Sequence, residues 1–403
     1  MTCSPRNLPD AQNCGTIVKM TRNAAKNSFD RNVAGCPLTF LLVCCAVLIF
    51  CHPLPAQAGF AVITNRCSRS VSFSLAEPQS SAQRPRQRTI EPGDVVSLVL
   101  SEPAELTYQA AGSQKSHAIA PNGIYYFGNI QGEAVELHEI GLTSPQSAPY
   151  EAWRVDSESR VNGSVNRAPS GQPPNVVIPV KILFDEDEVR KPSVWEKRMR
   201  ARFDEASRIF AQHCFVQFKI VVVGSWGSDD TIDDLEKSLA EFERTVDPAP
   251  ARLAIGFTGQ IKPRVIYPHL GGTRGPLHTH MLVREWVSRN SEAECLEVLV
   301  HELGHFLGAV HSPEPNSVMR SQLGDRQARS AKFRIVFDPL NTLAMCLVGE
   351  ELGIQPQIKF FEMRNSTRNQ LRKLYTELGR ALPQDPTPLL YRRRLDAGHQ
   401  TAE

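Results

Sequence analysis

Apolar and polar positions alternate with a strand-like period early in the chain and recur at helical spacing further on. Residues 59–141 hold short β-rich runs: VSFSL at Val71–Leu75, TIEPGDVVSLVL at Thr89–Leu100, ELTYQA at Glu105–Ala110 and GIYYFG at Gly123–Gly128, divided by Pro, Gly and Ser. Period-two alternation turns every second side chain to the same face. Several such runs predict a small all-β domain of sandwich type. It contains no catalytic constellation, and packing, ligand or surface binding, and a pro-domain over an active site all stay open as its role. Residues 142–174 change to Ser, Pro, Gly, Asn and Arg, the composition of a linker.

A second pattern starts at residue 175. VVIPVKILF (Val176–Phe184) is a continuous apolar run that suits a central strand. Trp195, Met199, Phe203, Ala206 and Phe210 then recur at steps of three and four, one buried helical stripe, with Ser193 and Glu196 as its expected capping box. Strands follow at Val216–Gly224 and Arg252–Phe257. Between them, Asp229, Asp230, Asp233 and Asp234 are compatible with a structural calcium site, which nothing else supports; acids facing a helix dipole are the commoner explanation. Ser291 and Glu294 form another capping box, opening a helix through SEAECLEVLVHELGHFLG whose Leu296, Val298, Leu299, Leu303, Phe306 and Leu307 supply buried sides. Asp338 and Pro339 have N-cap and N1 character for a closing helix, LNTLAMCLVGEELG. Residues 356–403 add one amphipathic stretch, with Leu371, Leu374, Tyr375 and Leu378 on a face, and end in YRRRLDAGHQTAE, read as a mobile tail.

The N-terminus has a different character. Lys19, Arg22, Lys26 and Arg31 precede the 14-residue apolar run Leu38–Cys51, followed by Pro53, Pro55 and AQA at Ala56–Ala58. That is a secretory signal with a long basic region and a cut after Ala58. The run is shorter than the roughly 20 residues a spanning helix needs, so a secreted or extracytoplasmic protein without a stable membrane span is expected. Met20 is a more ordinary start than Met1. The chain thus divides into 1–58 (signal), 59–141 (β-domain), 142–174 (linker), 175–355 (second domain, of mixed strands and helices) and 356–403 (C-terminal extension).

Composition adds limits. A length of 403 residues and 41% hydrophobic content suit two packed domains. The formal charge is +2, and removal of the signal leaves 40 basic against 41 acidic residues, so no nucleic-acid partner is indicated. Cys67, Cys214, Cys295 and Cys346 remain after the cut, as two disulfides or four buried thiols. Their wide spacing rules out a cysteine-based zinc site.

The chemistry is concentrated in HELGHFLGAVH, residues 301–311. His301 and His305 are four apart, so on a helix they project from one face as two ligands for one small cation. Glu302 lies beside the first, able to reach a water held by the metal. Gly308 can adopt the left-handed turn that brings His311 back as a third nitrogen. Three neutral imidazoles leave a fourth tetrahedral position open, the layout of one catalytic Zn2+. The shorter HExxH is only suggestive; the full spacing is specific.

Downstream, Pro313, Pro315, Asn316 and Ser317 form a turn cluster before Met319. With these residues the sequence resembles the metzincin clan of zinc metalloproteases, closest to the matrixin branch in Ser312 and in the step from His311 to Met319. The resemblance is confined to residues 175–355, which it makes the catalytic domain. It implies an α+β fold: a twisted, mostly parallel sheet with an antiparallel edge strand, a long zinc helix, a Met-turn and a C-terminal helix, preceded here by the all-β domain. It implies His301, His305 and His311 as ligands, Glu302 as general base and Met319 as an apolar floor, in a zinc endopeptidase acting on polypeptides. Leu277–Trp286 is the expected edge strand, with His278 and His280 on one side of it, facing solvent or the substrate rim, with a second metal site as the less favoured alternative. Ser321 stands where astacin-like members have a tyrosine ligand, and no PRCGxPD-type inhibitory segment is present. Two other readings stay open: a secreted binding protein with the metzincin domain as scaffold, against which the intact Glu302 argues, and a non-proteolytic zinc hydrolase.

Overall fold

The computed structural model describes residues 59–76, 86–130, 134–142, 176–186, 191–232, 234–259, 270–285, 291–330 and 333–397. The expected signal segment, the linker beyond residue 142 and Asp233 lie outside the described residues. Strands β1 (Gly59–Asn65), β2 (Val71–Ala76), β3 (Arg86–Ile90), β4 (Val95–Leu100), β5 (Ala104–Ala110), β6 (Ser113–Ile119), β7 (Ile124–Ile130) and β8 (Ala134–Glu139) form two four-stranded sheets, ordered β4-β1-β7-β8 and β3-β2-β5-β6. Strict alternation in β2 buries Val71, Phe73 and Leu75 between the sheets and turns Ser72 outward. The run at 89–100 is two strands, because Gly93 takes a left-handed φ of +77° between them.

β1 breaks that alternation and is buried along its whole length. Ala61 and Ile63 face the sandwich core, while Phe60 and Val62 join a second core made with the α/β part of the chain. Strands buried on both faces are uniformly apolar, and GFAVITN is such a run. Despite the linker composition between them, the two parts share a core and form one compact unit.

The α/β part comprises β9 (Val176–Asp185), α1 (Pro192–Cys214), β10 (Val216–Trp226), α2 (Leu235–Thr245), β11 (Leu253–Thr258), β12 (Gly271–Thr273), β13 (His280–Arg284), α3 (Glu292–Phe306), α4 (Pro339–Ile354), α5 (Asn365–Ala381) and α6 (Thr387–Asp396). Its sheet runs β10-β9-β11-β13-β12, parallel except for β12, which is antiparallel to β13. The antiparallel edge is therefore Gly271–Thr273. The expected edge, 277–286, instead contributes the interior strand β13, parallel to β11. Alternate residues serve two layers: Ile182, Phe184, Ile255, Phe257, Met281 and Val283 pack with α1 and α3, and Leu183, Ala254 and Leu282 pack with α2.

Local signals set most helix ends. Asp234 accepts from the backbone of Lys237 at the start of α2, and Asp338 accepts from Asn341 at the start of α4. The Ser291–Glu294 capping box forms at α3. The Ser193–Glu196 box does not form, because Pro192 occupies the first turn of α1 and Lys191 is the N-cap. Helix α4 is buried nearly all round, since it lies against the sandwich, α1 and α5 at once.

The junction also carries polar ties. Ser97 donates to the carbonyl of His213, Arg334 pairs with Asp94 at 2.6 Å, and Arg66 pairs with Glu314 at 3.0 Å. Cys67, Cys214, Cys295 and Cys346 are free and buried. Cys67 lies inside the sandwich core rather than near the histidine cluster, so it is not the zinc-reaching thiol that an inhibitory pro-domain would use. The described part of the expected tail, up to residue 397, is not a bare tail: α6 buries Tyr391 and Leu395 against the α/β core.

Candidate metal centre and active site

His301, Glu302 and His305 are buried on the last turns of α3, a helix fixed by Val298, Leu299, Leu303 and Phe306 in the core. At its end Gly308 has φ +87°, and the Ala309 N–H donates to the Gly304 carbonyl, closing the helix with a left-handed reversal. Asn341 then holds the returning chain from both sides: its amide donates to the Val310 carbonyl and its oxygen accepts from the Val310 N–H. The reversal brings His311 to the first two histidines, and one ligand atom from each of the three lies within 4.8 Å of the others.

Each ring is oriented through Nδ1. His301 Nδ1 is 2.8 Å from the Val318 carbonyl and His305 Nδ1 is 2.9 Å from that of Ala309, which assigns the Nδ1–H tautomer to both rings. Their Nε2 atoms are then both lone-pair donors, yet they stand 3.0 Å apart. Two lone pairs at that distance repel unless a cation lies between them. Tetrahedral zinc with Zn–N bonds of ~2.0–2.1 Å sets its nitrogens about 3.3 Å apart, so the residues fit the ion within a few tenths of an ångström. Burial, with the neighbouring histidines, holds His301 well below the usual imidazole range, and burial with His311 takes His305 down to about 4. Both rings are neutral at pH 7, as ligands must be.

Glu302 does not join the nitrogens. Its carboxylate lies against the edge strand at Gly271, and burial pushes its pKa up to about 8; a divalent ion nearby acts in the opposite direction. Met319 is fully buried with Sδ against Gly304, beneath the helix that carries the ligands. Its turn is pinned where Ser312 N–H donates to the Met319 carbonyl and Ser317 Oγ accepts from Met319 N–H. Glu314, in the same turn, is the partner of Arg66 from the sandwich.

His278 and His280 do not make a second metal group. His280 is buried, its Nε2 2.8 Å from the Val246 carbonyl and its ring edge-on to Phe242, while His278 lies 3.7 Å from Glu243. Of the suspected calcium acids, Asp234 caps α2 and Asp229 accepts from Thr231. Among the described residues, the three histidines are the group placed to hold a metal ion.

Sequence reading missed three contributors. Asn341 is one. Tyr375 is another, its hydroxyl donating to the Gly308 carbonyl at 2.7 Å. The third is Asp385, with Oδ2 3.2 Å from His311 Nδ1. Tyr375 carried a signal, an aromatic on the buried stripe of an amphipathic helix; Asp385 stands between Gln384 and Pro386 with none.

A mostly parallel sheet, a helix bearing two histidines and a glutamate, a glycine reversal to a third histidine and a methionine turn beneath them define a metzincin-type zinc metallopeptidase domain. Residues 155–341 match the model of the peptidase family described as Matrixin. No curated protein matches the sequence. Among solved structures, an archaemetzincin from Methanopyrus kandleri is similar at 16% identity, covering 44% of this chain and 98% of its own, with a TM-score of 0.34. A zinc-dependent peptidase from Methanocorpusculum labreanum is similar at 12% identity, covering 41% of this chain and 99% of its own, with a TM-score of 0.30. At such scores these likenesses add nothing to what the site geometry and the family match carry.

Proposed function

We propose that the protein is an exported zinc endopeptidase in which His301, His305 and His311 hold one catalytic zinc and Glu302 is the general base. The observation that carries this reading is the pair of unprotonated Nε2 atoms at 3.0 Å, with the third histidine brought to them and the Glu302 carboxylate on the same helix outside the nitrogen cluster. When bound, the zinc supplies a Lewis acid that acidifies water and polarises the scissile carbonyl. Glu302 accepts the proton of the attacking water and passes it to the leaving amine, so no covalent enzyme intermediate is needed. The buried setting of Glu302 strengthens its interaction with developing charge. The half-buried edge strand β12, paired on one side only, offers main-chain groups to an extended peptide, which favours cleavage within chains. Export rests on the basic region, apolar run and AQA of the N-terminus.

The test uses the full chain after export. Its zinc content is measured, and a mixed peptide library is digested with a His305→Ala variant as control. About one zinc per chain and internal cuts, both lost in the variant, are expected. Release of terminal residues alone overturns the endopeptidase assignment, and a chain that neither holds zinc nor cuts overturns the whole reading.

A further inference from the structure

The three ligand rings differ in what holds their Nδ1 atoms. Those of His301 and His305 face backbone carbonyls 17 and 4 residues further along the chain, whereas that of His311 faces the Asp385 carboxylate, from the connection between α5 and α6. The Asp385 side chain is only 7% exposed. Its two oxygens divide their work. Oδ1 accepts from the N–H and the hydroxyl of Thr387, at 3.1 and 2.8 Å, which fixes the carboxylate to the first turn of α6. Oδ2 is buried, receives no hydrogen bond from the described residues, and stands 3.2 Å from His311 Nδ1. At that separation a small ring rotation completes an N–H···O bond.

The same extension grips the other end of the reversal, where Tyr375 donates to the Gly308 carbonyl. Around the site, Tyr391 and Arg394 of α6 lie against Gly275, close to the edge strand. The C-terminal extension therefore touches the loop that delivers the third ligand at both Gly308 and His311. A buried carboxylate oxygen without another donor, aimed at the back of a ligand imidazole, is the arrangement that fixes tautomer and ring direction and raises ligand basicity.

We infer that Asp385 is a positioning residue for the metal centre: it holds His311 with Nε2 toward the ion, and the functional catalytic unit extends to α6 instead of ending near residue 355. This rests on the zinc reading above. The experiment compares the full chain with its Asp385→Asn and Thr387→Val variants, measuring zinc affinity by competition with a chelator, the visible spectrum of the cobalt(II)-loaded forms, and urea unfolding of the metal-free forms. Asp385→Asn keeps the shape but presents an amide to His311. Its zinc affinity should fall about 10- to 100-fold, with a changed cobalt spectrum and unaltered metal-free unfolding. Thr387→Val, which leaves the carboxylate and its bond from the residue 387 N–H but removes the hydroxyl donor to Oδ1, should give a smaller loss of several-fold and serves if the first variant does not fold. Zinc affinity within twofold of the parent in a folded variant overturns the proposal, as does a loss matched by equal metal-free destabilisation. Zinc binding by the parent that disappears in His301→Ala keeps the zinc reading intact in either case; failure of the parent itself to bind zinc is the failure of that reading.

Discussion

A methyl group built on Gly271 would stand 2.6 Å from Oε1 of Glu302, so the edge strand and the proposed base adjoin in space that only glycine leaves open. Strand β12 thereby sets where the carboxylate can lie. Gly271→Ala should displace Glu302 while sparing the histidines. The expected result is full zinc content with kcat lowered at least about tenfold, the scale of a misplaced catalytic group. Zinc analysis beside peptide-cleavage kinetics checks it, and unchanged kcat would mean that Glu302 has room to move.

Glu302→Gln should retain the metal and the fold and lose turnover by ~100- to 10,000-fold, the range of a general base. Coordination is left to the three histidines in this variant. Loss of zinc would place Glu302 among the ligands, and retained activity would put the base elsewhere.

The shared core predicts mechanical unity of the two parts. Phe60 of β1 stacks on Phe215, just beyond α1, with ring centroids 5.9 Å apart. Phe60→Ala should cost about 3 kcal/mol and lower the unfolding midpoint reported by Trp195 and Trp226, which both lie in the α/β part. Removal of residues 1–174 should leave an aggregating protein, because α4 and α1 would then expose the surface that β1 and β4 cover. An active, monomeric short chain would show that the α/β part stands alone. Urea unfolding followed by tryptophan fluorescence, with light scattering for the short chain, decides both.

Acid should weaken the same junction. Burial, helped by Arg334, takes the His213 imidazole down to about 4 in the folded protein, against ~6.5 in an unfolded chain. Between those values the unfolded chain binds the proton that the folded chain refuses, so stability rises with pH through this window and is lost as pH falls from 6.5 toward 4. On going from pH 7 to pH 5 the contribution lost is about 2 kcal/mol. A His213→Phe variant should lack this part of the acid slope, as read from paired urea titrations of the zinc-loaded proteins. Identical slopes would assign the acid sensitivity to other groups.

What the sequence disclosed was chemistry bound to short range. The ligand triad, Glu302, Gly308 and Met319 lie within residues 301–319 and obey spacings that the helix and its reversal impose. The caps at Ser291 and Asp338 are equally local. Ser193 misled because Pro192 starts the helix with Lys191 as its N-cap, two residues earlier. The true edge strand, Gly271–Thr273, has no strand-forming composition; pairing with β13 makes it one, which is why LHTHMLVREW drew the assignment instead. His278 and His280 share a period-two position, yet the Val246 carbonyl pulls one of them inward. β1 passed unnoticed because a strand buried on both sides shows no alternation. Arg66 and Glu314, or Asp385 and His311, are far apart in the chain, and no local pattern announces such pairs.

Placing Asp385 and α6 at the metal centre gives the site a position in time. Synthesis runs from the N-terminus, so β1 appears long before α1 and α4 can cover it, and α6 arrives after every candidate ligand has already emerged. With the third imidazole held by that segment, a partly made chain has its histidines without the support that sets them. On the proposed function, proteolytic competence then arrives only once α6 is in place, which spares the emerging chain and its neighbours from being cut.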